Sequence, residues 1–145
     1  MKTMRISCKD FNLAATLESG QVFGFMKNGE TYEGRIAGKP VKLRQSGGFL
    51  YSTAAARVVR DYFDLDRDLT PLFALLESES GLAGTLPVFR GLRIIRQDAW
   101  EALACFIISS NNNVKRIQGI WKNLSVYYCD GKGFPSPAQI AKSHS

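Results

Sequence analysis

Apolar residues recur with two different periods along the chain, and the change comes near Thr53. Before it the period is short and turns are frequent. Thr3 to Ser7 reads as a first strand, Phe11 to Leu17 as an extended or single-turn segment leading to Ser19-Gly20-Gln21, and Val22 to Lys27 as a strand. Asn28-Gly29 is a strong hairpin signal, because both residues tolerate the positive φ of a two-residue turn, and Thr31 to Ala37 is the returning strand. Gly38-Lys39 turns the chain again, Val41 to Gln45 alternates Val and Leu with Lys and Arg, and Gly47-Gly48 leads into Phe49 to Ser52. These segments predict an antiparallel meander.

After Thr53 the spacing becomes helical. Ala54 to Phe63 places Val58, Val59, Tyr62 and Phe63 near one face, with Thr53 as a cap; Asp64 to Asp68 reads as a solvated linker. Leu69 to Glu77, with Pro71 near its start, and Gly81 to Phe89 predict two more helices. Trp100, Leu103, Ala104 and Ile107 form a stripe behind an Asp98/Glu101 capping box. A second stripe comprises Val114, Ile117, Ile120, Trp121 and Leu124, with Lys115, Gln118 and Lys122 off its face. Past Leu124 the pattern weakens into a loop, YYCDGKGFPSP, and Pro137 to Lys142 predicts a last helical turn. Strands and helices segregate along the chain, so the expected fold class is α+β, with an N-terminal antiparallel sheet and short helices over residues 1–89 and further helices over 90–145.

With 145 residues, 45% of them hydrophobic, the chain can build one globular domain or two small ones sharing a core. No apolar run reaches the ~18 residues of a membrane span, and MKTMRISCKD lacks the apolar core of a signal peptide, which predicts a cytosolic protein without membrane contact. Cys8, Cys105 and Cys129 are odd in number and widely spaced; they suggest neither a disulfide framework nor a metal site, and Cys105 reads as a small core residue. No cofactor is expected. The net charge of +6 is unevenly spread: residues 1–89 carry 11 basic and 10 acidic side chains, residues 90–145 carry 8 and 3. Either the second part faces an anionic partner or it is an ordinary basic surface.

The positive excess surrounds SSNNNVKR, Ser109 to Arg116, between the two apolar stripes. Small polar side chains there can satisfy the open backbone groups of both helix ends, yet one Asn would suffice. Lys115 and Arg116 fall in a first helical turn, where the helix dipole disfavours cations. Two readings stand: a polar turn with solvated cations, or an elbow that presents amides and cations to a polyanion. DGKGF lacks the flanking strand and Lys-Ser or Lys-Thr of a phosphate loop and reads as a turn, and His144 lies too near the end to be a well-held base.

GLRIIRQDAWEALACFIISSNNNVKRIQGIW, Gly91 to Trp121, resembles the helical domain of the 8-oxoguanine DNA glycosylases of the helix-hairpin-helix superfamily; FNLAATLESGQVFGF, Phe11 to Phe25, resembles their lesion-reading segment, and GFPSPAQIA also fits. The SGQ and SSNNN stretches favour this branch over the similar alkylpurine glycosylases. The resemblance implies that the Gly20 carbonyl accepts the N7 hydrogen of 8-oxoguanine, that Asn111 fills the vacated space and contacts the estranged cytosine, and that Arg116 bonds the same base. Phe23 and Phe25 either flank the lesion pocket or belong to the core; Asn112 and Asn113 serve as caps or braces and, with Lys115, as candidate DNA contacts. The family's nucleophilic Lys and following Asp are expected beyond the point where this sequence stops, and Lys115 and Lys122 sit on the wrong helix.

The expected role is therefore base-excision repair, with recognition but not catalysis in these residues. The expected partners are double-stranded DNA containing 8-oxoguanine and a C-terminal catalytic half, with self-association through an exposed apolar face. The location would be the cytoplasm, at the nucleoid, or the nucleus in a eukaryote. The competing readings are a stand-alone module binding damaged or bent DNA and a core fragment without function of its own.

Overall fold

The computed structural model describes residues 3–79, 81 and 84–142. Five strands, β1 (Met4–Ser7), β2 (Met26–Asn28), β3 (Thr31–Ile36), β4 (Lys39–Ser46) and β5 (Phe49–Ser52), form one antiparallel sheet in the order β1-β5-β4-β3-β2. The meander runs from β2 to β5, and β1 joins its far edge with Ile6 opposite Leu50. Two-residue turns connect the hairpins. The first lies one residue later than expected, on Gly29-Glu30, because Asn28 pairs with Thr31; the second lies one residue earlier, on Ala37-Gly38, whose φ values of 49° and 72° give the primed geometry that matches strand twist.

The strand expected over Val22 to Lys27 is paired only from Met26. Residues 22–25 leave the sheet edge because Phe25 folds over β3, where a Cβ on Gly34 would lie 2.5 Å from Phe25 Cδ1. The core lies on the sheet's inner face, where Ile6, Tyr32, Ile36, Val41, Leu43 and Leu50 meet residues of α1 (Leu13–Leu17) and α2 (Ala56–Tyr62). Each such side chain contributes about 1.5–3 kcal/mol of burial.

Thr53 does not cap α2. Its Oγ1 accepts from Lys42 N at 2.9 Å, Ala55 takes the cap position without a side-chain bond, and the helix face shifts so that Val59, Tyr62 and Phe63 are buried while Val58 is exposed. Nor is Asp64 to Asp68 merely solvated. Asp64 adopts φ 50°, its carboxylate accepts from Arg96 at 2.8 Å, and the buried Arg93 guanidinium donates to the carbonyls of Asp64 and Arg67 at 3.0 and 2.6 Å.

The remaining elements are helices: α3 (Thr70–Ser78), α4 (Leu86–Phe89), α5 (Ala99–Ser109), α6 (Val114–Cys129) and α7 (Pro137–Ala141). The helix expected over Gly81 to Phe89 is confined to its last four residues; residues 82 and 83 are outside the described part, as is His144. Against the expectation of a loop after Leu124, α6 continues to Cys129. Asp130 then turns left-handed at φ 50° and Gly131 N–H closes the helix on Ser125 O at 3.0 Å.

Residues 91–97 tie the helices to the sheet, across the expected divide at 89/90. Ile95 belongs to the core, and Asn12 N–H donates to Gly91 O at 2.8 Å. Gly91 has φ +86°, and a Cβ there would lie 2.8 Å from Asn12 N, so only glycine fits.

Candidate nucleic-acid interface

The elbow is built by two of its three asparagines. Asn112 Nδ2 donates to Ile108 O at 2.6 Å and Ser110 O at 3.3 Å, closing the end of α5. Asn113 is the N-cap of α6, its Oδ1 accepting from Arg116 N at 2.9 Å. Asn111 does neither. It is exposed, holds the left-handed φ of 57°, and makes no side-chain hydrogen bond among the described residues. Asn is among the few non-glycine residues that tolerate that region.

Lys115 and Arg116 follow at once, both exposed and without an ion-pair partner among the described residues. The amino end of α6 adds partial positive charge at the same place. The elbow therefore presents one free amide and two free cations on a rigid turn.

Gly20 meets the elbow from the other side of the chain. Its φ of +87° suits glycine, and a Cβ there would lie 3.6 Å from Cγ2 of Val114, the first residue of α6. Gln21 holds this loop. Its Nε2 donates to Thr16 O at 3.1 Å, Ser19 Oγ at 3.0 Å and Arg93 O at 2.9 Å, and its Oε1 accepts from Ile95 N at 2.9 Å. Gln97 Nε2 returns a bond to the Gln21 carbonyl at 2.7 Å. In the sequence Gln21 stands out only as part of the SGQ stretch, with no role of its own.

The two aromatic candidates part company. Phe25 packs on the core, its ring 6.2 Å from that of Tyr62, whereas Phe23 is half-buried and outside the core cluster.

Gly24 seals the seam between loop and helices, since a Cβ there would lie 2.9 Å from Trp121 Cζ2. Trp121 Nε1 donates to Glu101 Oε1 at 2.8 Å. That bond explains why the expected capping box is half made: Asp98 Oδ1 accepts from Glu101 N at 3.0 Å, but the Glu101 carboxylate is engaged by Trp121. Burial pushes the Glu101 carboxyl above its ordinary range, opposed by the Trp121 bond and reinforced by Asp98. A cleft of about 1570 Å³ opens beside it, lined by Phe25, Tyr62, Trp100, Glu101 and Trp121 among others.

Cys105 is buried, as expected of a core residue, and burial with the nearby Glu101 pushes its thiol up to about 11, so it stays protonated. Lys115 and Lys122 are exposed.

The stripe expected on α5 is rotated. Ala104 and Cys105 are buried while Leu103, Phe106 and Ile107 are 53%, 75% and 60% exposed; on α6 Val126 and Tyr127 are exposed as well. The helical pair thus carries an uncovered apolar face.

Comparison with known proteins gives this geometry a context. A family profile described as the N-terminal domain of 8-oxoguanine DNA glycosylase matches residues 3–103. The chain is 29% identical over 126 residues to the N-glycosylase/DNA lyase OGG1 of Arabidopsis thaliana, covering 79% of this chain and 34% of that protein. The solved structure of MBOgg1 in complex with a low affinity DNA ligand superposes with a TM-score of 0.88 at 29% identity, over 98% of this chain and 54% of the other. The 8-oxoguanine glycosylase/lyase of Clostridium acetobutylicum, in complex with double-stranded DNA containing cytosine opposite 8-oxoguanine, gives a TM-score of 0.74 at 28% identity, over 84% and 47%. The chain spans about a third of the plant protein and about half of the solved chains.

Proposed function

The chain belongs to the 8-oxoguanine DNA glycosylase family, and on that footing we propose that it reads the lesion and the orphaned base of damaged DNA in base-excision repair. Extruding a base costs a few kcal/mol of stacking and pairing, which contacts to the flipped base and to the one left behind must offset. Gly20 supplies a carbonyl for the N7 hydrogen that 8-oxoguanine has and guanine lacks, with Phe23 beside the flipped base. Asn111 enters the vacated space, Arg116 offers its planar fork to the cytosine, Lys115 meets phosphate, and Asn112 and Asn113 hold the crest against the strand.

The observation that carries this reading is Asn111: an exposed, unpartnered amide at the crest of an elbow whose next cations are free and whose base touches Gly20. Binding to duplexes with 8-oxoguanine opposite cytosine, beside undamaged controls at two salt concentrations, tests it. Preferential binding, lost in Asn111→Ala or Arg116→Ala, is expected. Weak, steeply salt-dependent binding indifferent to the lesion and to both substitutions would leave phosphate attraction alone.

Excision followed by strand cleavage needs an amine that attacks C1′ and forms a Schiff base. We propose that this Lys and its assisting Asp come from further polypeptide seated on the apolar face of α5 and α6, a reading supported by the greater length of the relatives. Borohydride should then trap no covalent complex between lesion DNA and this chain alone, and should trap one on the supplied polypeptide when the helical remainder of a relative is added. A trapped complex on this chain would place the nucleophile within it. Failure of every such mixture, with lesion binding intact, would favour a stand-alone binding module, and concentration-dependent mass in light scattering would show the face occupied by a second copy. Its place of action would be the nucleoid, or the nucleus in a eukaryote.

A further inference from the structure

We infer that Gln21 is the positioning residue for lesion discrimination: its side-chain amide fixes the Gly20 carbonyl relative to the amino end of α6. This rests on the reading of Gly20 as the lesion contact.

On this reading one carbonyl carries the discrimination. Guanine and 8-oxoguanine differ at N7 by one hydrogen, so the discriminating bond is lost when the acceptor moves by a fraction of its length. Gly20 cannot hold itself, since φ +87° is a conformation glycine adopts freely and leaves freely. The neighbouring amide holds it. Gln21 is anchored behind Gly20 to Thr16 and Ser19, at the end of α1, and across to Arg93 O and Ile95 N on the strand-like segment that leads into α5. Gln97 fixes the Gln21 main chain from the same segment. Both sides of the gap between Gly20 and Val114 are thereby referred to one frame.

Gln45 provides an internal control. It too is a glutamine staple, its Oε1 accepting from Leu13 N at 2.7 Å and its Nε2 donating to Phe11 O at 2.6 Å, but it grips the start of α1 and makes no bond to the Gly20 loop. Loosening by Gln45→Met should lower stability and leave selectivity alone.

The experiment measures the ratio of affinities for lesion-containing and undamaged duplexes in the intact chain, with melting followed by circular dichroism. Gln21→Met is expected to cut that ratio roughly tenfold, the effect of losing one or two buried hydrogen bonds, with salt-dependent binding to undamaged DNA retained. Gln21→Glu distinguishes positioning from plain loosening. As a carboxylate it cannot donate to Arg93 O, but once protonated it donates there and still accepts from Ile95 N, so its ratio should recover as pH falls towards about 5 while that of Gln21→Met stays flat. The inference is overturned if Gln21→Met keeps the wild-type ratio, if Gln45→Met loses it equally, or, should Gln21→Met fail to fold, if the Gln21→Glu ratio does not respond to pH. A wild-type chain with no lesion preference overturns the underlying reading of Gly20 instead, which is a different result.

Discussion

The sheet side and the elbow side of the molecule treat their charges in opposite ways. Every ion pair among the described residues lies between Glu18 and Arg96, from Lys27 with Glu18 at 2.8 Å to Arg96 with Asp64 at 2.8 Å. Beyond Arg96 the described cations, Lys115, Arg116, Lys122, Lys132 and Lys142, have no such partner. Exposed pairs of this kind are worth about 0–1 kcal/mol each, so stability is a weak account of the difference. The balance of 11 basic and 10 acidic side chains keeps the field small over residues 1–89, while 8 against 3 leaves it standing around the elbow. Among the amides at the elbow, Asn112 and Asn113 are engaged in closing the turn and only Asn111 is left open.

The strongest way to break this comparison is to attack the saturated side. Gly91→Ala should cost about 3 kcal/mol, through its left-handed φ and the collision with Asn12, and a urea titration would read it; a cost near zero would mean the seam is slack. At the elbow the effect should move from stability to binding. Lys115→Ala should leave the urea midpoint within about 0.5 kcal/mol of wild type yet lower the salt slope of DNA binding by about 0.9. Lys42→Ala, which removes a cation already paired with Glu33 at 2.7 Å, should leave the slope unchanged, and equal slopes for the two variants would erase the contrast.

Asn111→Gly should sharpen it further. Both residues accept this φ, so stability should stay within about 1 kcal/mol of wild type while lesion preference falls, separating recognition from stability. A larger loss of stability would show that the asparagine side chain is held by contacts in the fold.

The smallest effect concerns Glu101. Its folded-state pKa is raised, so its contribution to stability is fully present below the unfolded value of about 4.5 and is lost as pH rises through the folded one. Glu101→Gln keeps an acceptor for Trp121 and cannot ionise. The variant should therefore gain on wild type as pH increases from acid to neutral, a crossover visible in paired melting curves.

How much of this was readable depended on where each residue's partners lie. β5 and the Gly47-Gly48 turn emerged where expected because alternation and turn glycines are local signals. The face of α2 slipped because Thr53 is drawn away to the backbone of Lys42 in a neighbouring strand. AWEALACFIIS is apolar on most sides, so its stripe was ambiguous, and the fold turns the small Ala104 and Cys105 inward. At the site, the separate duties of Asn111, Asn112 and Asn113 have no pattern of spacing behind them; they follow from which side chains close the turn. Gln21 and Arg93 were illegible for a plainer reason. Gln21 bonds residues more than seventy positions away, and Arg93 binds carbonyls in a segment that reads as solvated.

The seam has an optical consequence. The chain has only two tryptophans, and both stand at it: the Trp121 ring is pressed on Gly24 and hydrogen-bonded to Glu101, and Trp100 Nε1 donates to Pro135 O at 2.8 Å. Emission of the unlabelled protein is thus a built-in gauge of this one junction, and any ligand that opens or tightens it will announce itself as a colour shift before a single dye is attached.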